Sequence, residues 1–315
     1  MKVFVTGVGG QLGHDVMNEL AKRGIEGIGS DLAPEYRGVE DGTAVCTMPY
    51  VPLDITDAGQ VHRVLEEIRP DAVVHCAAWT AVDAAEEEEN KETVFKVNVT
   101  GTESIASACK ELDCKMVYIS TDYVFDGQGE EPWQPDCEEY APLNVYGQSK
   151  WDGEKAVTKL LTKYFIVRIA WVFGANGNNF IKTMLKVGKT HDKLTVVKDQ
   201  IGTPTYTYDL ARLLVDMIGT QKYGFYHATN EGGFISWYDF AVEIFSQAAQ
   251  RGYEDYDENH LQVLAVTTQE YGVSKASRPF NSRLDKSKLK EAGFEPLPDW
   301  KDALRRYLDE IEFTK

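Results

Sequence analysis

The sequence predicts an α/β protein, a doubly wound parallel sheet with a smaller mixed α/β lobe toward its C-terminal end. Three observations point there. Short apolar runs alternate with helix-length amphipathic runs through the first half of the chain. A glycine-rich turn joins the first strand to the first helix, and after about residue 170 the pattern stays mixed while turn residues become denser. Strands separated by helices of this length need crossover connections, which are right-handed and leave the strands parallel.

Residues 3–6 are the first apolar run. Leu12, Val16 and Leu20 mark one face of the helix that follows, with Gly24 as its stop. Residues 25–31 read as the second strand, and residues 33–52, with their Pro, Gly and acidic content, as a long loop. In the helix over 58–68, Val61, Val64, Leu65 and Ile68 share a face. Residues 72–75 form a third strand, 91–112 a long helix, 115–120 a fourth strand, 145–161 a helix and 165–169 a fifth strand. Further helices are expected over 180–188, 208–218, 237–251 and 300–311. This order places a dinucleotide-binding domain at residues 1–170 and a substrate-binding lobe mainly at 171–315, with the chain free to cross between them. No linker separates the two, so a cleft between them is the natural ligand site.

Composition narrows the function. Apolar residues make up 43% and charged residues 26% of 315, enough to build a core and too much for a disordered chain. The net charge of −17 argues against nucleic-acid partners, because a phosphate backbone would be repelled. No run is long and apolar enough for a membrane span, and residues 1–7 read directly as a strand entering a turn rather than as a leader. Cys46, Cys76, Cys109, Cys114 and Cys137 are odd in number and form no Cys-x-x-Cys, as expected of reduced thiols in the cytoplasm with no metal site.

The turn itself is Gly7-Val8-Gly9-Gly10-Gln11-Leu12-Gly13, with Gly7, Gly10 and Gly13 at G-x-x-G-x-x-G spacing. A strand–turn–helix of this kind brings backbone amides and a helix N-terminus to a pyrophosphate, and Asp31 at the end of the second strand suits a ribose diol. The sheet is therefore of the Rossmann type. Asp54-Ile55 either meets an adenine edge or, through Asp54, caps the helix over 58–68. Ala77-Ala78-Trp79 closes the third strand with small residues suited to passing under a cofactor. Ser120-Thr121-Asp122 ends the fourth strand, where open α/β sheets place their sites. Tyr146 and Lys150 lie four apart on one face of the next helix. An ammonium beside a phenol is expected to lower its pKa, and Thr121 could hold a substrate oxygen next to it. The segment starting at Trp237 reads most simply as core.

These residues resemble the extended short-chain dehydrogenase/reductases and, within them, the dTDP-4-dehydrorhamnose reductase family. The likeness extends to His75–Glu86, Ser120-Thr121-Asp122-Tyr123-Val124-Phe125-Asp126-Gly127, Pro142–Gly147, Ala170–Gly174, Asn178-Asn179-Phe180, Asp199–Thr205 and Arg278–Leu284, almost the whole chain. It implies reduction of a dTDP-linked 4-keto-6-deoxy sugar to dTDP-L-rhamnose with NADPH or NADH. Tyr146 would give the proton, Lys150 tune it and contact the nicotinamide ribose, and Thr121 bond the carbonyl. Gly7, Gly10, Gln11, Leu12, Gly13, Asp31, Asp54, Ile55, Ala77, Ala78 and Trp79 would hold the dinucleotide, with Val82, Asp122 and Trp171 against the sugar. Arg278, helped by Asn281 and Asn179, is the expected partner of the nucleoside diphosphate. The long segment 33–52 departs from the family. Asp31 disfavours a 2′-phosphate while Arg37 offers a compensating charge, so the choice of NADH or NADPH stays open. So does the assembly, a homodimer included. Alternatives are a sugar-nucleotide epimerase or dehydratase of the same superfamily, the latter using Asp122, and a non-catalytic regulatory subunit like that of methionine adenosyltransferase.

Overall fold

A computed structural model describes residues 1–257, 259–272 and 274–311; residues 258, 273 and 312–315 of the expected second lobe lie outside it. The elements run β1 (Lys2–Thr6), α1 (Gln11–Lys22), β2 (Glu26–Asp31), β3 (Tyr50–Pro52), α2 (Ala58–Ile68), β4 (Ala72–His75), α3 (Val82–Ala85), α4 (Glu88–Phe95), α5 (Thr102–Glu111), β5 (Lys115–Thr121) and α6 (Val145–Leu160). They continue with β6 (Tyr164–Ile169), β7 (Val172–Phe173), α7 (Phe180–Gly188), β8 (Lys193–Val197), β9 (Ile201–Gly202), β10 (Thr205–Tyr206), α8 (Thr207–Ile218) and β11 (Gly224–His227). Last come β12 (Ile235–Ser236), α9 (Trp237–Gln250), β13 (Gln262–Val266), α10 (Thr268–Tyr271), α11 (Ser287–Glu291) and α12 (Trp300–Glu310).

Seven strands form one parallel sheet in the order β11-β6-β5-β4-β1-β2-β3. The strand order reverses between β1 and β4, so their carboxyl ends open a crevice at the switch point. The parallel doubly wound sheet is the one expected. Its central strands are buried on both faces, as the unbroken apolar runs Val3–Val5 and Ala72–Val74 require. Three two-stranded pairs, β10–β7, β12–β9 and β13–β8, complete the mixed part.

Two edges of the sheet differ from the expectation. The end of the 33–52 loop is β3, which pairs with β2 through Gly29–Tyr50 and Asp31–Pro52. At the opposite edge β11 pairs with β6, so a segment from the second half completes the first-half sheet. The helix α8 precedes it in the chain, packing on α1 and burying Leu210, Leu213, Leu214 and Met217 in the core of Val3, Val5, Val16 and Leu20. A separate core lies wholly in the second half, where α7, α9 and α12 bury Ile181, Phe240, Ile244, Leu304 and Tyr307.

The helix expected over 91–112 is interrupted by a π-helical stretch, Lys96–Gly101. There the Asn98 carbonyl accepts the Thr102 hydroxyl at 2.8 Å, while its side chain leaves the helix. Asn98 Oδ1 accepts Trp79 N–H at 2.8 Å and its Nδ2 donates to the Ser149 hydroxyl at 2.9 Å. One wide turn thus ties the loop after β4 to α6.

The two halves also meet at a buried carboxyl, Asp15 on α1, which accepts the Thr207 hydroxyl at 2.5 Å. Burial pushes its pKa up to about 7, with Glu310, Asp41 and Asp209 adding to the rise against the pull of Thr207. A folded-state pKa above the unfolded one contributes stability in full below about 4, lost as pH rises toward about 7. Asp15→Asn, which keeps an acceptor for Thr207, is therefore expected to be more stable than the native chain at pH 8 by roughly 2–4 kcal/mol. The advantage vanishes near pH 4, as paired urea titrations at the two pH values would show.

Candidate active site

A cavity of about 780 Å³ opens at the carboxyl ends of the sheet strands. It begins at the glycine turn. Gly7 has φ +73°, and a side chain there would meet the Ala77 backbone nitrogen at 2.6 Å. At Gly13 a Cβ would lie 2.3 Å from the Gly7 carbonyl oxygen. Glycine at these points lets β1, α1 and the strand end at Cys76–Ala77 approach closely, leaving amides at the N-terminus of α1 for an anion.

The other wall is the N-terminal part of α6. Asn144 caps it by accepting Gly147 N–H at 2.7 Å, and Glu86 accepts Val145 N–H at 2.8 Å. This fixes the rotation of a helix that carries Tyr146 and Lys150 into the cavity. Lys150 lies with Nζ 4.1 Å from the centre of the Tyr118 ring, and the Tyr118 hydroxyl reaches the Lys150 carbonyl at 3.3 Å. Tyr123 meets Tyr146 edge-on with ring centroids 5.6 Å apart.

Electrostatically the site departs from the sequence expectation. Burial holds the Tyr146 phenol well above its usual 10, although the Thr121 hydroxyl beside it pulls the other way; Asp122 and Tyr123 add to the rise. Burial also pushes Lys150 down to about 7, against the favourable fields of Glu154 and Cys76. In the protein alone desolvation outweighs any lowering of the phenol by the lysine, so that expectation is corrected. The Asp122 carboxyl is raised to about 6 by burial, opposed by the Ser282 and Thr121 hydroxyls.

The cavity brings together Gly7, Gly10, Gln11, Leu12, Gly13, Asp31, Asp54, Ile55, Ala77, Ala78, Val82, Thr121, Asp122, Tyr146, Lys150, Trp171 and Arg278. Asp57, not Asp54, caps α2, accepting Gln60 N–H at 2.9 Å, while Asp54 folds onto Thr56. Three expected residues are absent from the lining. Trp79 gives its indole N–H to the Ala81 carbonyl at 3.1 Å. Asn179 caps α7 and donates to Gln11, the Gly174 carbonyl and the Tyr307 hydroxyl. Asn281 is spent on the carbonyls of Gln128 and Glu131. Buried amides need hydrogen-bond partners, and in the protein alone both side chains find them within the fold.

Sequence reasoning missed Trp237, assigned to the core. It lines the cavity and stacks on Trp171, with centroids 3.9 Å apart and planes at 19°. Trp171 sits at φ +51°, a left-handed conformation costly for a side chain of this size and held here by the stack. Arg278 lines the cavity while its Nη2 pairs with Asp83 at 2.7 Å and its Nη1 donates to the Tyr123 hydroxyl at 3.3 Å.

The lining fits a dinucleotide and a polar second ligand. Ser30 Oγ, Ser120 Oγ and Asp122 Oδ2 are buried atoms of lining residues with no hydrogen-bond partner among the described residues, and orphans of this kind call for a ligand's hydroxyls or amides. The glycine turn, the switch-point crevice and the Tyr-x-x-x-Lys face define the site of an extended short-chain dehydrogenase/reductase. The model of the RmlD substrate binding domain family matches residues 1–313, and the chain belongs to that family. It is 38% identical over 311 residues to a dTDP-4-dehydrorhamnose reductase of Aggregatibacter actinomycetemcomitans, covering 96% of this chain and 97% of the relative. A crystal structure of a dTDP-4-dehydrorhamnose reductase from Clostridium acetobutylicum superposes with a TM-score of 0.85 at 39% identity, covering 98% of this chain and 99% of that one. The Bacillus anthracis enzyme of the same name, solved in complex with NADP, gives 0.84 at 39% identity with the same coverage.

Proposed function

We propose that the chain reduces a dTDP-linked 4-keto-6-deoxy sugar to dTDP-L-rhamnose, with NADPH or NADH as reductant. The observation that carries this is convergence: the glycine turn, Tyr146, Lys150, Thr121 and Asp122 face one cavity in a chain alike over its full length to reductases of that name. Residues 1–170 supply most of the dinucleotide end. Trp171, Trp237 and Arg278 bring the later part of the chain to the substrate end. Among the described residues no helix is long and apolar enough to cross a membrane, and the reading is of a cytoplasmic biosynthetic enzyme whose partner is the dTDP-sugar.

When bound, the dinucleotide supplies a hydride to C4 of the sugar. The Thr121 hydroxyl holds the C4 oxygen, and Tyr146 gives that oxygen its proton as negative charge develops there. Its high pKa keeps the phenol loaded across the neutral range, and an alkoxide is a much stronger base than a phenolate, so the transfer runs downhill. Lys150 contacts the nicotinamide ribose and steadies the phenolate left behind. Asp122 accepts a sugar hydroxyl, and Val82 with the Trp171–Trp237 stack covers the deoxygenated face. Arg278 binds the diphosphate.

Mixing the purified chain with either reduced dinucleotide and the dTDP-linked 4-keto sugar tests the reading through loss of dihydronicotinamide absorbance. No turnover with either nucleotide rejects it. Arg278→Ala is expected to raise KM for the nucleotide sugar by about 10–100-fold with kcat changed far less, since it removes binding energy remote from the reacting carbon. Arg278→Lys should recover part of the loss in the same assay, a point charge replacing the bidentate fork.

A further inference from the structure

Lys150 is buried, and the charged form of a buried amine needs partners that the fold itself supplies. The obvious anions are spent. Glu154, one turn further along α6, accepts Arg168 Nε and Nη2 at 2.8 Å each, a fork that cancels much of its charge. Cys76 at the end of β4 is held as a thiol, because burial pushes its pKa up to about 12 against the pull of Lys150. Tyr146, on the same face of α6, is a neutral phenol for the reason given above. Among the described residues the favourable group left against Nζ is an aromatic ring. Tyr118 on β5 lies with its ring centre 4.1 Å from that nitrogen, well inside the reach of a cation–π contact.

The seat is built from three elements. At Gly153 of α6 a Cβ would lie 2.2 Å from the Tyr118 hydroxyl oxygen, so a side chain there would push helix and ring apart. His75 of β4 stacks on Tyr118 with centroids 5.9 Å apart and planes at 24°. Its ring nitrogens meet the Thr6 and Thr102 hydroxyls at 2.8 and 3.2 Å, which fixes the imidazole and the ring beside it. Burial, with Lys150 adding to the fall, pushes the His75 pKa down to about 3, so it brings no second cation to the ring. The Tyr118 phenol is raised well above its ordinary value, chiefly by burial, and stays neutral.

We infer that the ring of Tyr118 is the seat that keeps the Lys150 amine charged and aimed into the cleft, which makes Tyr118 a positioning residue of the reduction. The inference rests on the reductase reading above. Tyr118 is fully buried and lies outside the cavity lining, so it acts through Lys150 rather than on a ligand. In that reading the ammonium steadies the phenolate that Tyr146 becomes, and a neutral amine does not. Turnover therefore falls as rising pH discharges Lys150, and the ring's attraction for the ammonium moves that fall toward alkaline pH.

Single-turnover reduction of the dTDP-linked 4-keto sugar, followed by dihydronicotinamide absorbance from about pH 6 to about pH 10, locates the alkaline fall in each variant. Tyr118→Phe keeps the ring face and is expected to hold the fall within a few tenths of a unit of the native one. Tyr118→Leu removes the face and is expected to lower the fall by about 0.5–1.5 units. Phenylalanines of increasing ring fluorination at position 118 keep the shape while drawing electron density off the face, and are expected to lower it stepwise. That series decides the matter should the leucine variant fold poorly. A ring that merely fills the core would change stability in these variants and leave the pH of the fall where it is. A fall that stays put in Tyr118→Leu or across the fluorinated series, or a native chain with no alkaline fall, overturns the inference and leaves the reductase reading standing. A shift in Tyr118→Phe as large as in Tyr118→Leu assigns the effect to the hydroxyl and overturns it as well. No turnover in the native chain rejects both.

Discussion

Tyr146→Phe is expected to fold as the native protein does, bind the reduced dinucleotide with little change, and lose about 10³-fold in turnover, within the 10²–10⁴ range of a positioned proton donor. The ring of Tyr146 is enclosed by the cavity wall and packs edge-on against Tyr123, contacts that phenylalanine reproduces. What is lost is the hydroxyl proposed to give its proton to the C4 oxygen. Because burial raises the phenol's pKa, the native donor is protonated throughout the neutral range, and the rate of reduction should stay flat on the acid side of that pKa as far as Tyr146 governs it. A thermal melt, a dinucleotide titration and single-turnover reduction separate these effects. Retention of turnover within tenfold, with folding and binding intact, would remove Tyr146 from the reaction and the proposed chemistry with it.

The parts of this site that were legible in the sequence are local in the chain. The glycine turn, the Tyr-x-x-x-Lys face and the hydroxyl–carboxyl pair at the end of β5 each occupy a few consecutive residues whose spacing fixes their geometry. What escaped depends on distant partners. Gly224-Phe225-Tyr226-His227 is too short to announce itself, and becomes β11 only because the edge of β6 is open to it. Tyr50–Pro52 becomes β3 for the same reason at the other edge. The π-helical turn at Asn98 keeps the apolar pattern of an ordinary helix, so the spacing does not announce it, nor the side-chain bonds it allows to Trp79 and Ser149. Asn179 and Asn281 carry the right chemistry for a diphosphate, yet nearby carbonyls and a helix end claim them. Trp237 shows the converse, an aromatic at a helix start that any core would accept and that here completes the wall with Trp171. The direction of the Tyr146 shift failed for a related reason: spacing places a lysine near a phenol, but burial is a property of the finished cleft.

Lys150→Met is expected to lose about 10²–10³-fold in turnover while gaining stability at neutral pH. The sign follows from the depressed pKa. Lys150 titrates near 7 in the folded protein, chiefly because it is buried, whereas an unfolded lysine titrates near 10.4. Below about pH 7 the amine is charged in both states and the native fold carries the whole desolvation cost; as pH rises from about 7 to 10 the cost is relieved. Methionine occupies similar volume without a charge, so the variant should exceed the native chain in stability by about 2–4 kcal/mol at pH 6.5, the difference shrinking by pH 9.5. Urea titrations at the two pH values measure this directly. A residue held at a cost to the fold, on the face that also carries Tyr146, is retained for what it does with bound ligand rather than for packing. A variant that is both less stable at pH 6.5 and active within tenfold of the native chain would make Lys150 a structural residue. The stabilisation and the loss of turnover are expected together, because the amine that burial depresses lines the same cavity as Tyr146.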